Sequence, residues 1–217
     1  VGFVAVTAII SEQTRHRDEI CAVAKSLFDR GLTAGSTGNI SVRLDDGSML
    51  MTPTNASFGA LEPERLSLVA ADGQHLSGDR PTKEAFLHSC MYCERDSSHA
   101  VVHLHSTHAV AVSVLSGIDP SDVIPPITAY YAMRVGRLPL VPYYAPGDAD
   151  LALAVKALAG DHHAVLLANH GPVVAGATLR DAQYAIEELE ETAKLFLLLD
   201  GKAIRPLSEA QASALRK

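Results

Sequence analysis

Cysteine is scarce in this chain: Cys21, Cys90 and Cys93 are the only three among 217 residues. So few, in odd number, exclude a disulfide framework. With no secretory signal in view, they point to a reducing cytosol and a cytoplasmic protein. Cys90-Met-Tyr-Cys93 spells Cys-x-x-Cys, but no second pair completes a zinc site, and two small core residues are the simpler reading. A run of Lys or Arg is also missing. The formal net charge is −7, which excludes a nucleic-acid partner that needs a basic patch. Long apolar runs are absent too. The opening ten residues, Val1–Ile10, are apolar but too short to span a bilayer. They lack the basic flank and cleavage site of a signal peptide. Residues 1–10 are therefore an apolar extension without an assigned role, and no membrane partner is expected. With no repeat and no low-complexity linker, residues 11–217 are expected to form a single domain.

What is present describes an ordinary globular chain, 47% hydrophobic and 20% charged. Ser11 can cap a first helix to Arg30, where Ile20, Val23, Ala24, Leu27 and Phe28 repeat as one buried face and Gly31 stops it. Strand-like pieces follow at 39–44, 48–52 and 66–70, the first two joined by an Asp45-Asp46-Gly47 turn. A second helix is expected from Pro81, a good first-turn residue, to about Arg95. Next come a strand at 100–105 and a helix at 107–115. Residues 117–147 look loop-rich, with a short strand near 138–143. An Asp148- or Asp150-capped helix ends at Gly160. Strands at 164–169 and 173–175 precede a long helix, 179–200. Strands and helices alternate loosely, as in an α/β or α+β sandwich with a mixed sheet.

The strongest chemical signal is Ala100-Val-Val-His103-Leu-His105. On a strand, successive side chains alternate faces. Ala100, Val102 and Leu104 then point one way, and Val101, His103 and His105 the other. The two histidines start about 7 Å apart along the strand, close enough for their rings to converge on one ion. His170, at the end of the apolar run Ala164–Ala168, can supply a third nitrogen. Three protein ligands with an open position are the plan of a catalytic zinc site, and strand ends in α/β sheets are where ligands collect.

Glu84, in the first turn of the helix expected from Pro81, is either a dipole-favoured surface carboxylate or a general base that doubles as a labile ligand. Gly35-Ser-Thr-Gly38-Asn39-Ile-Ser41 has the makings of an anion cradle, with glycines that admit backbone N–H groups and side chains that add donors. Thr52-Pro-Thr54-Asn55-Ala-Ser57 has the same character. Either string alone is equally well a tight turn.

In order, Gly-Ser-Thr-Gly-Asn, Thr-Pro-Thr, Pro-Thr-Lys-Glu-x-x-x-His, His-x-His and Asn-His-Gly resemble the class II aldolase/adducin superfamily over roughly residues 12–200. The resemblance implies an α/β/α sandwich with a mixed, largely antiparallel central sheet. It implies Zn2+, or another divalent metal, on His103, His105 and His170. Glu84 matches the acid/base glutamate, which can also ligate the metal. Gly38 and Asn39, Thr54 and Asn55, and Thr82 and Lys83 match the phosphate-contacting pairs. A homotetramer with intersubunit active sites is implied, with Tyr131, or its neighbour Tyr130, as the proton-donating tyrosine. Two positions depart from the aldolase pattern. Asn55 stands where aldolases have glycine, and Lys83 where they have serine, an exchange that strengthens anion binding. Arg134 is a further candidate anion contact.

The strings 52–57, 77–84, 133–144 and 185–194 resemble the decarboxylase branch of that family. The resemblance therefore implies a carbon–carbon lyase acting on a small phosphorylated sugar acid. The expected reaction removes carbon dioxide from a 3-oxo acid and leaves dihydroxyacetone phosphate by way of an enediolate. The alternatives are a phosphosugar aldolase or epimerase with the same ligands, and a non-catalytic adducin-like interaction module.

Overall fold

The computed structural model describes residues 2–145 and 148–216, with side chains from Glu12 onward. Helix α1 spans Gly2–Asp29. It begins at Gly2 rather than at Ser11, and the expected Ser11 cap lies outside the described side chains. No glycine or proline interrupts residues 3–29, so the helix persists until Gly31, whose φ of 74° is costly for other residues. There Gly31 N donates to Phe28 O and Leu32 N to Leu27 O, the paired bonds of a Schellman stop.

Eight strands make one sheet: β1 (Asn39–Arg43), β2 (Met49–Met51), β3 (Ser67–Val69), β4 (His75–Ser77), β5 (Ala100–His103), β6 (Leu140–Val141), β7 (Ala164–Leu167) and β8 (Gly171–Gly176). Their spatial order is β4-β3-β2-β1-β5-β8-β7-β6. Every neighbouring pair is antiparallel except β6 with β7. The other helices are α2 (Ala85–Glu94), α3 (Thr107–Ser113), α4 (Ala129–Arg134), α5 (Ala149–Ala159), α6 (Leu179–Leu198) and α7 (Glu209–Leu215). No described helix is long and apolar enough to cross a membrane.

Alternation along the strands divides the interior into two cores. Ile40, Val42, Ala100, Val102, Leu104 and Leu166 pack with side chains of α1, α3, α4 and α6. Met51, Val101, Val165, Leu167 and Val173 pack with those of α2 and α5. The molecule is the expected sandwich, helices on both faces of a mixed and largely antiparallel sheet.

Three differences from expectation bear on the site. Helix α2 begins at Ala85 rather than Pro81, because Pro81 forms a bridge with Pro53 instead. Strand β5 stops at His103, leaving His105 in the loop before α3. Strand β8 starts at Gly171, two residues before its expected start and directly after His170. Elements β4, α4 and α7 have no counterpart in the sequence pattern, being short and set among loops.

Candidate metal and catalytic site

Strands β1, β5 and β8 lie side by side, with Asn39 opposite His103 and His103 opposite Val173. His103 therefore ends the central strand of the three, on the α2/α5 side as the alternation predicts. Its ring is fully buried. His103 Nδ1 lies 2.9 Å from Pro172 O. A carbonyl only accepts, so Nδ1 carries the proton and Nε2 presents a lone pair.

That nitrogen has two counterparts. His103 Nε2 is 3.1 Å from His105 Nε2 and 3.3 Å from His170 Nε2, and the last two are 3.1 Å apart. Nitrogens bound tetrahedrally at about 2.0–2.1 Å lie about 3.3 Å from one another. The triangle thus has the dimensions of one face of a tetrahedral zinc site, and the residues present fit a divalent ion. Burial pushes the imidazolium pKa of His103 down and that of His105 down to about 4, so both are neutral ligands at physiological pH.

Glu84 completes the group. It occupies the position just before α2, not the first turn expected from sequence. Glu84 Oε1 is 3.2 Å from His170 Nε2, and Oε2 is 3.6 Å from His103 Nε2. All four candidate ligand atoms lie within 4.8 Å of one another. Burial opposes ionisation of Glu84. Its hydrogen bonds with His170 and Asn39, together with the neighbouring imidazoles of His103 and His170, outweigh burial and hold the carboxyl below the usual range. An ionised carboxylate beside the neutral His103 and His105 rings makes a site of negative charge, complementary to a divalent cation.

Main-chain packing sets these positions. Gly171 follows His170 with φ 152°, and a Cβ there would stand 2.2 Å from Leu104 O. Gly38 also lies close, on the other side of β5, where a Cβ would meet His103 O at 2.9 Å. Asn169 takes the left-handed φ of 57° that lets the β7–β8 turn deliver His170.

Beside the imidazoles lies a cavity of about 330 Å³ bounded by Gly38, Thr54, Asn55, Thr82, Lys83 and Glu84, among others. The residues proposed from three separate strings for anion binding therefore converge. Asn55 has φ 59°, a conformation that favours glycine and that asparagine tolerates better than most residues, which accounts for Asn where aldolases carry Gly. Asn39 also reaches this cavity, but its amide Nδ2 donates to Glu84 Oε2 at 2.7 Å.

Two expected residues are not brought to the site. Tyr131 is fully buried in the core, its hydroxyl without a hydrogen-bond partner among the described residues. It cannot reach out of the subunit, whereas Tyr130 next to it is 60% exposed. Consecutive helical residues point about 100° apart, so one faces in and the other out. Arg134 stacks between Tyr130 and Tyr184, 5.8 and 5.0 Å from their ring centroids, and lines a different cavity with Arg95 and Asp181.

Sequence reasoning missed several neighbours. Tyr143, Tyr144 and Thr107 bound the space on the other side of His105 and His170. Glu190, buried on the apolar face of α6, accepts from His108 N and Ala109 N at 2.9 Å each. It caps α3 immediately after the His105 loop. Its signal was available: a carboxylate set among Ile186, Leu189 and Ala193 on one helical face.

The family described as the class II aldolase and adducin N-terminal domain matches residues 18–197. A 3-oxo-tetronate 4-phosphate decarboxylase from Escherichia coli K12 is 51% identical over 200 residues, 92% of this chain and 94% of that protein. An L-fuculose phosphate aldolase from Methanocaldococcus jannaschii is 32% identical over 84% of this chain and 96% of its own. The crystal structure of YgbL from Escherichia coli, described with aldolase, epimerase and decarboxylase as alternatives, superposes with a TM-score of 0.92. It is 49% identical, covering 94% of this chain and 99% of YgbL.

Proposed function

This chain belongs to the class II aldolase and adducin N-terminal domain family, and from that premise we propose that it is a decarboxylase of a 3-oxo-tetronate 4-phosphate. The products would be dihydroxyacetone phosphate and carbon dioxide. The observation that carries this reading is the triangle of three Nε2 atoms set directly beside the cavity that holds Lys83. The relatives named 3-oxo-tetronate 4-phosphate decarboxylase support the substrate class.

His103, His105 and His170 would hold the metal, Zn2+ by donor type, with Glu84 as a fourth and displaceable ligand. When bound, that ion supplies Lewis-acid stabilisation of charge developing on the substrate's ketone oxygen. Lys83, the hydroxyls of Thr54 and Thr82, and the backbone at Gly38 hold the phosphate and fix the distance from it to the ketone. Breaking the bond between the carboxylate carbon and its neighbour releases carbon dioxide and leaves the bond's electron pair on the substrate as an enediolate. Glu84 then passes a solvent proton to that carbon. A homotetramer fits this reading, with the exposed Tyr130, rather than the buried Tyr131, as the hydroxyl offered to a neighbouring subunit.

The test is product analysis. Metal-loaded protein is incubated with each configuration of 3-oxo-tetronate 4-phosphate while carbon dioxide is followed. Release of carbon dioxide with equimolar dihydroxyacetone phosphate is expected. An aldehyde released from a phosphosugar, with no carbon dioxide from either acid, would move the assignment to aldolase. Purified protein that takes up no divalent ion would leave an adducin-like interaction module.

A further inference from the structure

Behind Glu84 runs a chain of buried polar groups that the reaction does not touch. Asn39, Ser41 and Tyr92 are at most 4% exposed and His88 is fully buried. His88 sits four residues after Glu84, one turn into α2 and over the β1 side chains that face it. Its Nε2 meets Asn39 Oδ1 and its Nδ1 lies 2.7 Å from Ser41 Oγ. Ser41 Oγ is in turn 2.7 Å from the Tyr92 hydroxyl.

The proton positions follow from one end. The Glu84 carboxylate accepts from Asn39, so the amide nitrogen faces Glu84 and the amide oxygen faces His88. An amide oxygen only accepts, so His88 Nε2 carries a proton. Burial holds the imidazolium pKa of His88 down to about 3, so the ring is neutral and Nδ1 is an acceptor. Ser41 must then give its single hydroxyl proton to Nδ1. Its oxygen is left to accept from Tyr92, whose hydroxyl also donates to the Ser41 carbonyl oxygen at 3.1 Å and whose own proton burial secures. Every donor in the series points toward Glu84.

We propose that His88 is a positioning residue that locks the Asn39 amide with its NH₂ toward Glu84, and so holds the carboxylate in place beside the three imidazoles. A flipped Asn39 would aim its oxygen at the carboxylate and its NH₂ at His88. The Nε2–H of the ring forbids that orientation. The proposal rests on Glu84 as the acid/base of the reaction, and its test separates the two claims.

Isotope-labelled, metal-loaded protein is expected to show His88 by 15N NMR as the Nε2–H tautomer at neutral pH. An Nδ1–H tautomer overturns the proposal without reference to activity. In kinetics, His88→Gln keeps a donor toward Asn39, while His88→Phe removes it. His88→Phe is expected to retain its metal and KM and to lose about 10–100-fold in kcat, as for other outer-shell partners. His88→Gln is expected to recover most of that loss. Wild-type kcat in His88→Phe overturns the proposal, as does a loss that Gln does not rescue. Should His88→Phe fail to fold, Ser41→Ala, which removes the donor to Nδ1 and one acceptor of the Tyr92 hydroxyl, together with the tautomer measurement decides the matter. Glu84→Gln serves as the reference. If it turns over normally, the acid/base reading fails. If it is inactive while His88→Phe is unaffected, only the positioning role fails.

Discussion

The two faces of the central sheet use the same strands to opposite ends. On one face β1 and β5 present Ile40, Val42, Ala100 and Val102 to an apolar layer closed by α1, α3 and α6. On the other, one residue out of step, they present Asn39, Ser41, Val101 and His103 beneath α2, and the core there has a polar breach at its edge. The period of two allows a single strand to carry packing on one side and chemistry on the other without compromise. The lesson is one of division of labour. The first face should determine whether the protein folds, and the second whether it works.

Substitutions can break this division. The largest functional loss is expected from His103→Ala, which should abolish both metal uptake and turnover. Metal analysis by atomic emission alongside the carbon dioxide assay checks it, and substantial activity without metal would refute the proposed mechanism. Next comes Glu84→Gln, which should keep its metal and lose about 10²–10⁴-fold in rate. Ile40→Ala, one residue from Asn39 but on the opposite face, should cost about 2–5 kcal/mol of stability and leave metal content and kcat of the folded protein alone. Denaturant unfolding and kinetics at low temperature would show it, and an Ile40→Ala protein that is stable but inactive contradicts the division.

The smallest effect concerns acid. His88 has an ordinary imidazole pKa of about 6.5 when unfolded and about 3 when folded. Burial is the main cause. The unfolded chain therefore takes up a proton that the folded chain refuses. The contribution is fully present above pH 6.5 and is lost as pH falls toward 3, by at most about 1.4 kcal/mol per pH unit. Unfolding free energies between pH 7 and 5 should fall more steeply in the wild type than in His88→Gln. Parallel slopes would mean that position 88 does not sense acid.

Alternation made the face of His103 legible in the sequence, since a strand offers only two sides, whereas His105 joins it from the loop that follows β5. The three histidines, Glu84 and the three strings expected to bind an anion were legible as an ordered set, and the structure brings their residues around one cavity and one cluster. Three things were not. The start of α2 depends on Pro81 pairing with Pro53, a contact between segments about thirty residues apart that no local pattern reveals. The choice between Tyr130 and Tyr131 depends on the rotation of a six-residue helix, too short for its own periodicity to declare an inward side. His88 stood in view within the Glu-x-x-x-His string, but its partners Ser41 and Tyr92 belong to a different strand and a later turn. A hydrogen-bond series of that kind exists only once the sheet and helix have met.

Gly171 shows how little matter sets the catalytic spacing. Where any other amino acid carries a carbon, it carries a hydrogen, and the peptide of Leu104 fills the room that is saved. Alanine at this position is expected to wedge β8 away from the 104–105 segment and to draw His170 off its two companions. The ion would lose its seat although every donor atom remained in the chain.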